Sequence, residues 1–242
     1  MSRPFDLVMF DLDGTLVATA TEICMAVNDT LREQGQPEVS LQHVEQWIGQ
    51  GTRELLISAL AYVRGWPLQK VRDSDDFPAL LARFNQHYAT RCATCSEVFP
   101  EVCEVLETLH DQDVHLAVVT NKEYHHAKAL LSAHGLAGWF DWVIGGDTLS
   151  TRKPDPAGVW QCLHHFGVTM QRALLVGDSA IDAATGHNAG ITVWLVPYGY
   201  HGGQPIWQAH PHRILDSFAQ ITSLFSETMS LGTQERHRSA AG

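Results

Sequence analysis

Short apolar runs of strand length recur at residues 5–10 (FDLVMF), 114–119 (VHLAVV), 141–145 (DWVIG), 172–176 (RALLV) and 191–196 (ITVWLV). From the second run onward they alternate with stretches of helical period at 100–111, 123–134, 155–167 and 179–189, with Gly135, Gly167 and Gly190 as stop signals. Strands that are apolar throughout, with helices between them, bury both sheet faces when the strands run parallel and the helices cross over them in the right-handed sense. The pattern therefore predicts an α/β protein with a doubly wound parallel sheet, a Rossmann-like core.

One interval breaks the alternation. About 100 residues separate the first run from the second, far more than a single crossover needs, and most of them have helical pattern. A helical domain inserted after the first strand accounts for them. The expected boundaries are 1–16 and 97–225 for the core and 17–96 for the insertion. Residues 226–242, with few large apolar side chains and no period, are expected to form a flexible tail.

Composition narrows the range of partners. A formal net charge of −11 argues against a polyanion, so no nucleic acid partner is expected. No run of 18 apolar residues and no signal-peptide core are present, so no membrane partner is expected either. The five cysteines, at 24, 92, 95, 103 and 162, do not have the spacing of a disulfide scaffold; CATC at 92–95 lacks a second pair, and free thiols in a reducing cytoplasm are expected. Monomer and homodimer both remain open.

In an open parallel sheet the ligand crevice lies beyond the carboxyl ends of the strands. Here those ends are polar and mutually compatible. The first strand closes on Asp11 and Asp13, the second on Thr120 and Asn121, and ALLVGD on Asp178, followed by Asp182; Lys153 lies in TRKPDP. If the chain stays extended past Phe10, residues 11 and 13 point to one side, and Gly14 then permits a sharp turn before Thr15. Asp178 and Asp182 fall one helical turn apart on one face. Carboxylates so gathered repel one another unless a cation sits among them, and hard oxygen ligands suit Mg²⁺. With Lys153 as a fixed positive charge and Thr120 as a donor, the same residues make a site for a phosphoryl group. One aspartate can then attack phosphorus while its neighbour handles protons.

This arrangement resembles the haloacid dehalogenase superfamily of phosphohydrolases, whose four motifs are met by DLDGT at 11–15, VTN at 119–121, Lys153 and GDSAID at 177–182. The resemblance implies Asp11 as nucleophile, Asp13 as acid and base, and Asp178 as metal ligand. It also implies that Asp182 holds the ion or a water bound to it, and that the insertion is a mobile helical cap. Within the superfamily, WIGQG at 47–51, GGDTLSTRKPDP at 145–156 and VPYGY at 196–200 are similar to segments of phosphoglycolate phosphatases. That likeness implies hydrolysis of the small phosphorylated substrate 2-phosphoglycolate. Other capped phosphatases, acting on a sugar phosphate, an amino-sugar phosphate or pyrophosphate, are the alternatives, and a phosphate-responsive binding module without turnover is the reading from a different class. Ala18–Thr19 stands where that family usually has Asp-Ser and is expected to slacken the pocket; Glu101 and Glu123 stand where Gly and Pro are common. In the insertion, Gly49 and Gly51 flank a loop where the backbone can approach a ligand, and Arg53 is the candidate partner for a substrate carboxylate.

Overall fold

The computed structural model describes residues 3–223, so the expected tail at 226–242 lies outside the described residues. Six parallel strands form the main sheet: β1 (Leu7–Phe10), β4 (His115–Val119), β5 (Trp142–Ile144), β6 (Ala173–Gly177), β7 (Thr192–Leu195) and β8 (Arg213–Ile214), in the order β5-β4-β1-β6-β7-β8. β1 lies inside the sheet, Leu7 opposite His115 on one side and Ala173 on the other. Its side chains alternate between the two faces: Val8 and Phe10 join one core cluster, Leu7 and Met9 the other. α6 (Val102–Asp111) and α7 (Tyr124–Ala133) cover the first face; α8 (Ala157–Phe166) and α9 (Ala180–Ala189) cover the second. Each helix lies within two residues of its expected span, and α8 and α9 end on left-handed Gly167 and Gly190.

Two short strands, β2 (Val17–Ala18) and β3 (Glu97–Val98), pair antiparallel where the chain leaves and rejoins the core. Between them run α1 (Ala20–Glu33), α2 (Leu41–Trp47), α3 (Thr52–Arg64), α4 (Leu68–Arg72) and α5 (Phe77–Arg91). Ile23, Val27 and Leu31 of α1 meet Leu56, Leu60, Phe84 and Tyr88 in an apolar cluster separate from the two sheet clusters. None of the helices among the described residues is long and apolar enough to cross a membrane. Glu101, where a glycine was expected, does adopt the left-handed conformation, with φ of 67°, and its carboxylate accepts from the Ala219 amide at 2.9 Å.

Because the chain leaves β1 toward β4 but leaves β6 toward β7, the connections diverge between β1 and β6, and that is where a crevice opens at the strand ends. The packing beneath it is close. A Cβ added at Gly186 of α9 would stand 2.7 Å from Cβ of Val193 in β7. Gly→Ala inside a helix ordinarily gains about 1 kcal/mol, but overpacking a stiff β-branched neighbour costs about 1–3 kcal/mol. Gly186→Ala is therefore expected to destabilise the protein. A lowered midpoint of urea unfolding at unchanged m-value is the check, and a raised midpoint would contradict this packing.

Candidate active site

Asp11 follows β1 directly, its amide donating to the Val176 carbonyl of β6 at 2.9 Å, so the residue is held by two strands at once. Asp178 follows β6, and Asp182 stands in the first turn of α9. Ser179 caps that helix: its hydroxyl donates to Asp182 Oδ2 at 2.6 Å, while the Ser179 and Asp178 amides reach the same oxygen at 3.1 and 3.3 Å. Oxygens of Asp11, Asp178 and Asp182 lie within 4.8 Å of one another, all three residues buried. Lys153 sits between two of them, hydrogen-bonded to Asp182 Oδ1 at 2.6 Å and 2.8 Å from Asp11 Oδ1. Among the described residues, the donors to the Asp178 carboxylate are neutral, the Tyr200 amide at 2.5 Å and the Thr15 hydroxyl at 3.3 Å. Gly14, at φ of 87°, has no room for a side chain, because a Cβ there would press on Asp178 Oδ2 and the Tyr200 ring.

These surroundings leave charge uncompensated. Burial pushes the Asp11 carboxyl up to about 6; Lys153 opposes this, and Asp182 and Asp13 reinforce it. Burial likewise holds Asp178 well above the usual carboxylate range, with Asp182 and Asp11 adding to the effect. Burial disfavours the charge on Lys153, but Asp11 and Asp182 outweigh it and hold its ammonium above the ordinary range. With all three ionised, the carboxylates against one ammonium would leave two negative charges over, which is why burial and their mutual repulsion raise Asp11 and Asp178. That imbalance, on three oxygen donors within 4.8 Å, fits a divalent cation.

The expected gathering of four carboxylates is corrected to three. Asp13 does not join the cluster: its Oδ1 accepts from the Thr19 hydroxyl at 2.7 Å and from Lys122 Nζ at 2.9 Å. Its charge is compensated by the ammonium of Lys122, which follows β4. Lys122, immediately after VTN, is a residue that motif reading passes over, and it lies buried with its ammonium 4.6 Å from the centre of the Tyr88 ring. Burial opposes its charge, but Asp13 more than restores it and raises its pKa. Nor does Thr19 slacken the pocket, since its hydroxyl is bonded to Asp13.

A cavity of about 40 Å³ lies between the strand ends and the helices. Asp11, Asp13, Thr120, Asn121 and Lys122 form its floor. Its roof, from Ile23, Ile48, Leu55 and Phe84, is apolar, with Gly49 and Gly51 at the rim. Asn121 ties roof to floor, donating to the Gly49 carbonyl at 2.9 Å and to the Lys153 carbonyl at 3.0 Å. Glu123 adds a second tie, accepting from the Thr52 hydroxyl at 2.5 Å. A Cβ at Gly51 would stand 3.1 Å from the Asn121 carbonyl oxygen, so the loop lies close against the core. Thr120 is buried, with its hydroxyl accepting from the Lys122 amide at 3.2 Å.

Arg53 is not brought to the cavity. It is exposed, with its guanidinium 4.7 Å from the centre of the Phe77 ring. On α3 the cavity takes Thr52 and Leu55, three residues apart, and Arg53 falls about 100° round the helix from Thr52. The VPYGY segment has structural partners instead: the Tyr200 hydroxyl accepts from the Thr19 and Ala20 amides at 3.0 Å each, and the Tyr198 hydroxyl donates to the Thr15 carbonyl at 3.0 Å. CATC forms no disulfide or metal group among the described residues, and all five cysteines are free thiols.

Residues 8–196 match the family described as haloacid dehalogenase-like hydrolase. A protein named phosphoglycolate phosphatase from Haemophilus influenzae is 36% identical over 224 residues, covering 93% of this chain and 100% of that one. Phosphoglycolate phosphatase 1 of Pseudomonas aeruginosa is 37% identical over 215 residues, covering 89% and 78% of the two chains. Among solved structures, a predicted phosphoglycolate phosphatase from Haemophilus somnus 129pt aligns with a TM-score of 0.86 at 33% identity, over 93% of this chain and 99% of that one.

Proposed function

The chain belongs to the haloacid dehalogenase-like hydrolases, and from that membership we propose that it hydrolyses 2-phosphoglycolate to glycolate and phosphate, with Mg²⁺ bound, through an aspartyl-phosphate on Asp11. The observation that carries the chemistry is the charge imbalance at Asp11, Asp178 and Asp182 beside a cavity lined by Asp11 and Asp13. Mg²⁺ held by those three carboxylates would supply positive charge to the phosphoryl oxygens and favour the ionised form of Asp11 further. For the substrate, the support is the names of the relatives.

A carboxylate oxygen of Asp11 forms a bond to phosphorus in line with the ester oxygen, and the bond from phosphorus to that oxygen breaks. Asp13 gives its proton to the departing alkoxide. The carboxylate so formed takes a proton from water as the water attacks the aspartyl-phosphate, so that phosphate leaves and Asp11 and Asp13 return to their starting states. Lys153, positioned by Asp182, and the Thr120 hydroxyl meet the charge on the phosphoryl oxygens. The helices of residues 17–96 act as a cap that excludes water, with Asn121 and Glu123 as its contacts on the core. The free thiols support a cytoplasmic setting.

Steady-state hydrolysis across a panel of phosphate esters with Mg²⁺ tests this reading. The expected result is a kcat/KM for 2-phosphoglycolate at least about tenfold above ethyl phosphate, glucose 6-phosphate and pyrophosphate, as a charge-assisted contact to the carboxylate requires. Excess chelator should abolish turnover, and Mg²⁺ should restore it. A preference for a sugar phosphate or pyrophosphate would refute the substrate, and full activity in chelator would refute the metal.

A further inference from the structure

Phosphoglycolate carries its carboxylate one methylene away from the ester oxygen, so the group that protonates that oxygen and the group that meets the carboxylate must be neighbours. Among the described residues that line the roof none is cationic; Arg152 lies beside Gly51 outside the lining, and Arg53 lies over Phe77. Lys153 is bound between Asp11 and Asp182, on the phosphoryl side. Among the described residues that line the cavity, Lys122 on its floor is the cationic side chain, and it is bonded to Asp13, the proposed acid, at 2.9 Å. An ammonium has three donors. Among the described residues, the hydrogen bond of Lys122 Nζ goes to Asp13, with the Tyr88 face 4.6 Å away, so donors remain for a ligand in the cavity. The Tyr88 hydroxyl is turned to Glu22 Oε1 at 3.2 Å, so Tyr88 presents its ring rather than its oxygen to Lys122.

We propose that Lys122 is the specificity-determining residue of this site, receiving the substrate carboxylate while it remains bonded to Asp13. The proposal rests on the phosphoglycolate reading above. Binding of a carboxylate there sets the ester oxygen beside Asp13 and the phosphoryl group over Asp11, so a single contact both selects the substrate and orients it. An ester without the carboxylate leaves the ammonium facing apolar roof residues, a desolvated donor without an acceptor, and is bound less well for that reason.

The test is a cycle in which enzyme and substrate are each altered, comparing 2-phosphoglycolate with its carboxamide in the unaltered protein and in Lys122→Met. The two esters have similar alkoxide leaving groups, so any role of Lys122 in positioning Asp13 lowers both alike. The unaltered protein should prefer the carboxylate, and Lys122→Met should reduce that preference by roughly ten- to a hundredfold, chiefly through KM. Lys122→Arg, which keeps the charge, should retain part of the preference. Lys122→Gln replaces Met in the cycle if the Met variant fails to fold. Equal losses on both esters would overturn this proposal while leaving the substrate assignment intact. Equal turnover of the two esters by the unaltered protein, or turnover of neither, would overturn the assignment and the proposal together.

Discussion

Asp11→Asn is expected to lower kcat on 2-phosphoglycolate by a factor on the order of 10⁵, the scale of loss when a catalytic nucleophile is removed. The substitution keeps the shape of the side chain and removes its capacity to attack phosphorus. It should not unfold the protein. Asp11 is a buried carboxylate pushed up to about 6 by burial and by its acidic neighbours, so neutralising it relieves repulsion in the metal-free protein. Lys153 does not lose its counter-charge, because it keeps the 2.6 Å bond to Asp182. Thermal unfolding of metal-free Asp11→Asn should therefore occur at the same temperature as the parent or a higher one, even as turnover vanishes. A phosphoryl group trapped on the protein by rapid acid quench should be found on the parent and be missing from the variant. Turnover above a tenth of the parent rate in a folded sample would refute Asp11 as the nucleophile.

The division of the chain was legible because its signals are local and repeated. Alternating strand and helix periods predicted the parallel sheet, and five of its six strands coincide with the apolar runs. β8 escaped because two residues, Arg213–Ile214, are too few to carry a period, and β2 and β3 escaped for the same reason. The strand ends were legible too, since polar residues after buried strands demand compensation. What sequence does not carry is which of those residues face each other. Asp13 and Lys122 are 109 positions apart, and nothing in either local stretch announces the ion pair. Asp13 was therefore expected among the metal-side carboxylates, whereas it pairs with Lys122 and Thr19. Arg53 shows the converse limit: it follows the Gly-flanked loop closely in sequence, but the helical phase of α3 turns it toward Phe77. Both corrections shift the reading of the substrate from a residue of the inserted helices to one at the end of a core strand.

Asp13→Asn should separate the two halves of the reaction, because the residue is asked to give a proton in one and take it in the other. The amide can preserve the local geometry: the Thr19 hydroxyl and Lys122 ammonium both donate to Asp13 Oδ1, at 2.7 and 2.9 Å, and an asparagine carbonyl accepts both. That convergence leaves Oδ2 as the oxygen that carries the proton. Removal of the counter-charge to buried Lys122 should cost about 3–5 kcal/mol of stability, so assays belong well below the variant's melting temperature. On 2-phosphoglycolate, whose alkoxide leaves poorly, the expected loss in kcat is about 10²–10⁴-fold, the usual worth of a positioned acid or base. On p-nitrophenyl phosphate the leaving phenolate needs no proton, so the first half should proceed while the second stalls for want of a base. Rapid mixing should then show a burst of about one equivalent of nitrophenolate per site, followed by slow turnover as water attacks the aspartyl-phosphate unaided. In the parent the burst should be absent or much smaller. Equal losses on both esters with no burst would mean that Asp13 serves Lys122 and the fold, and that the proton travels by another group.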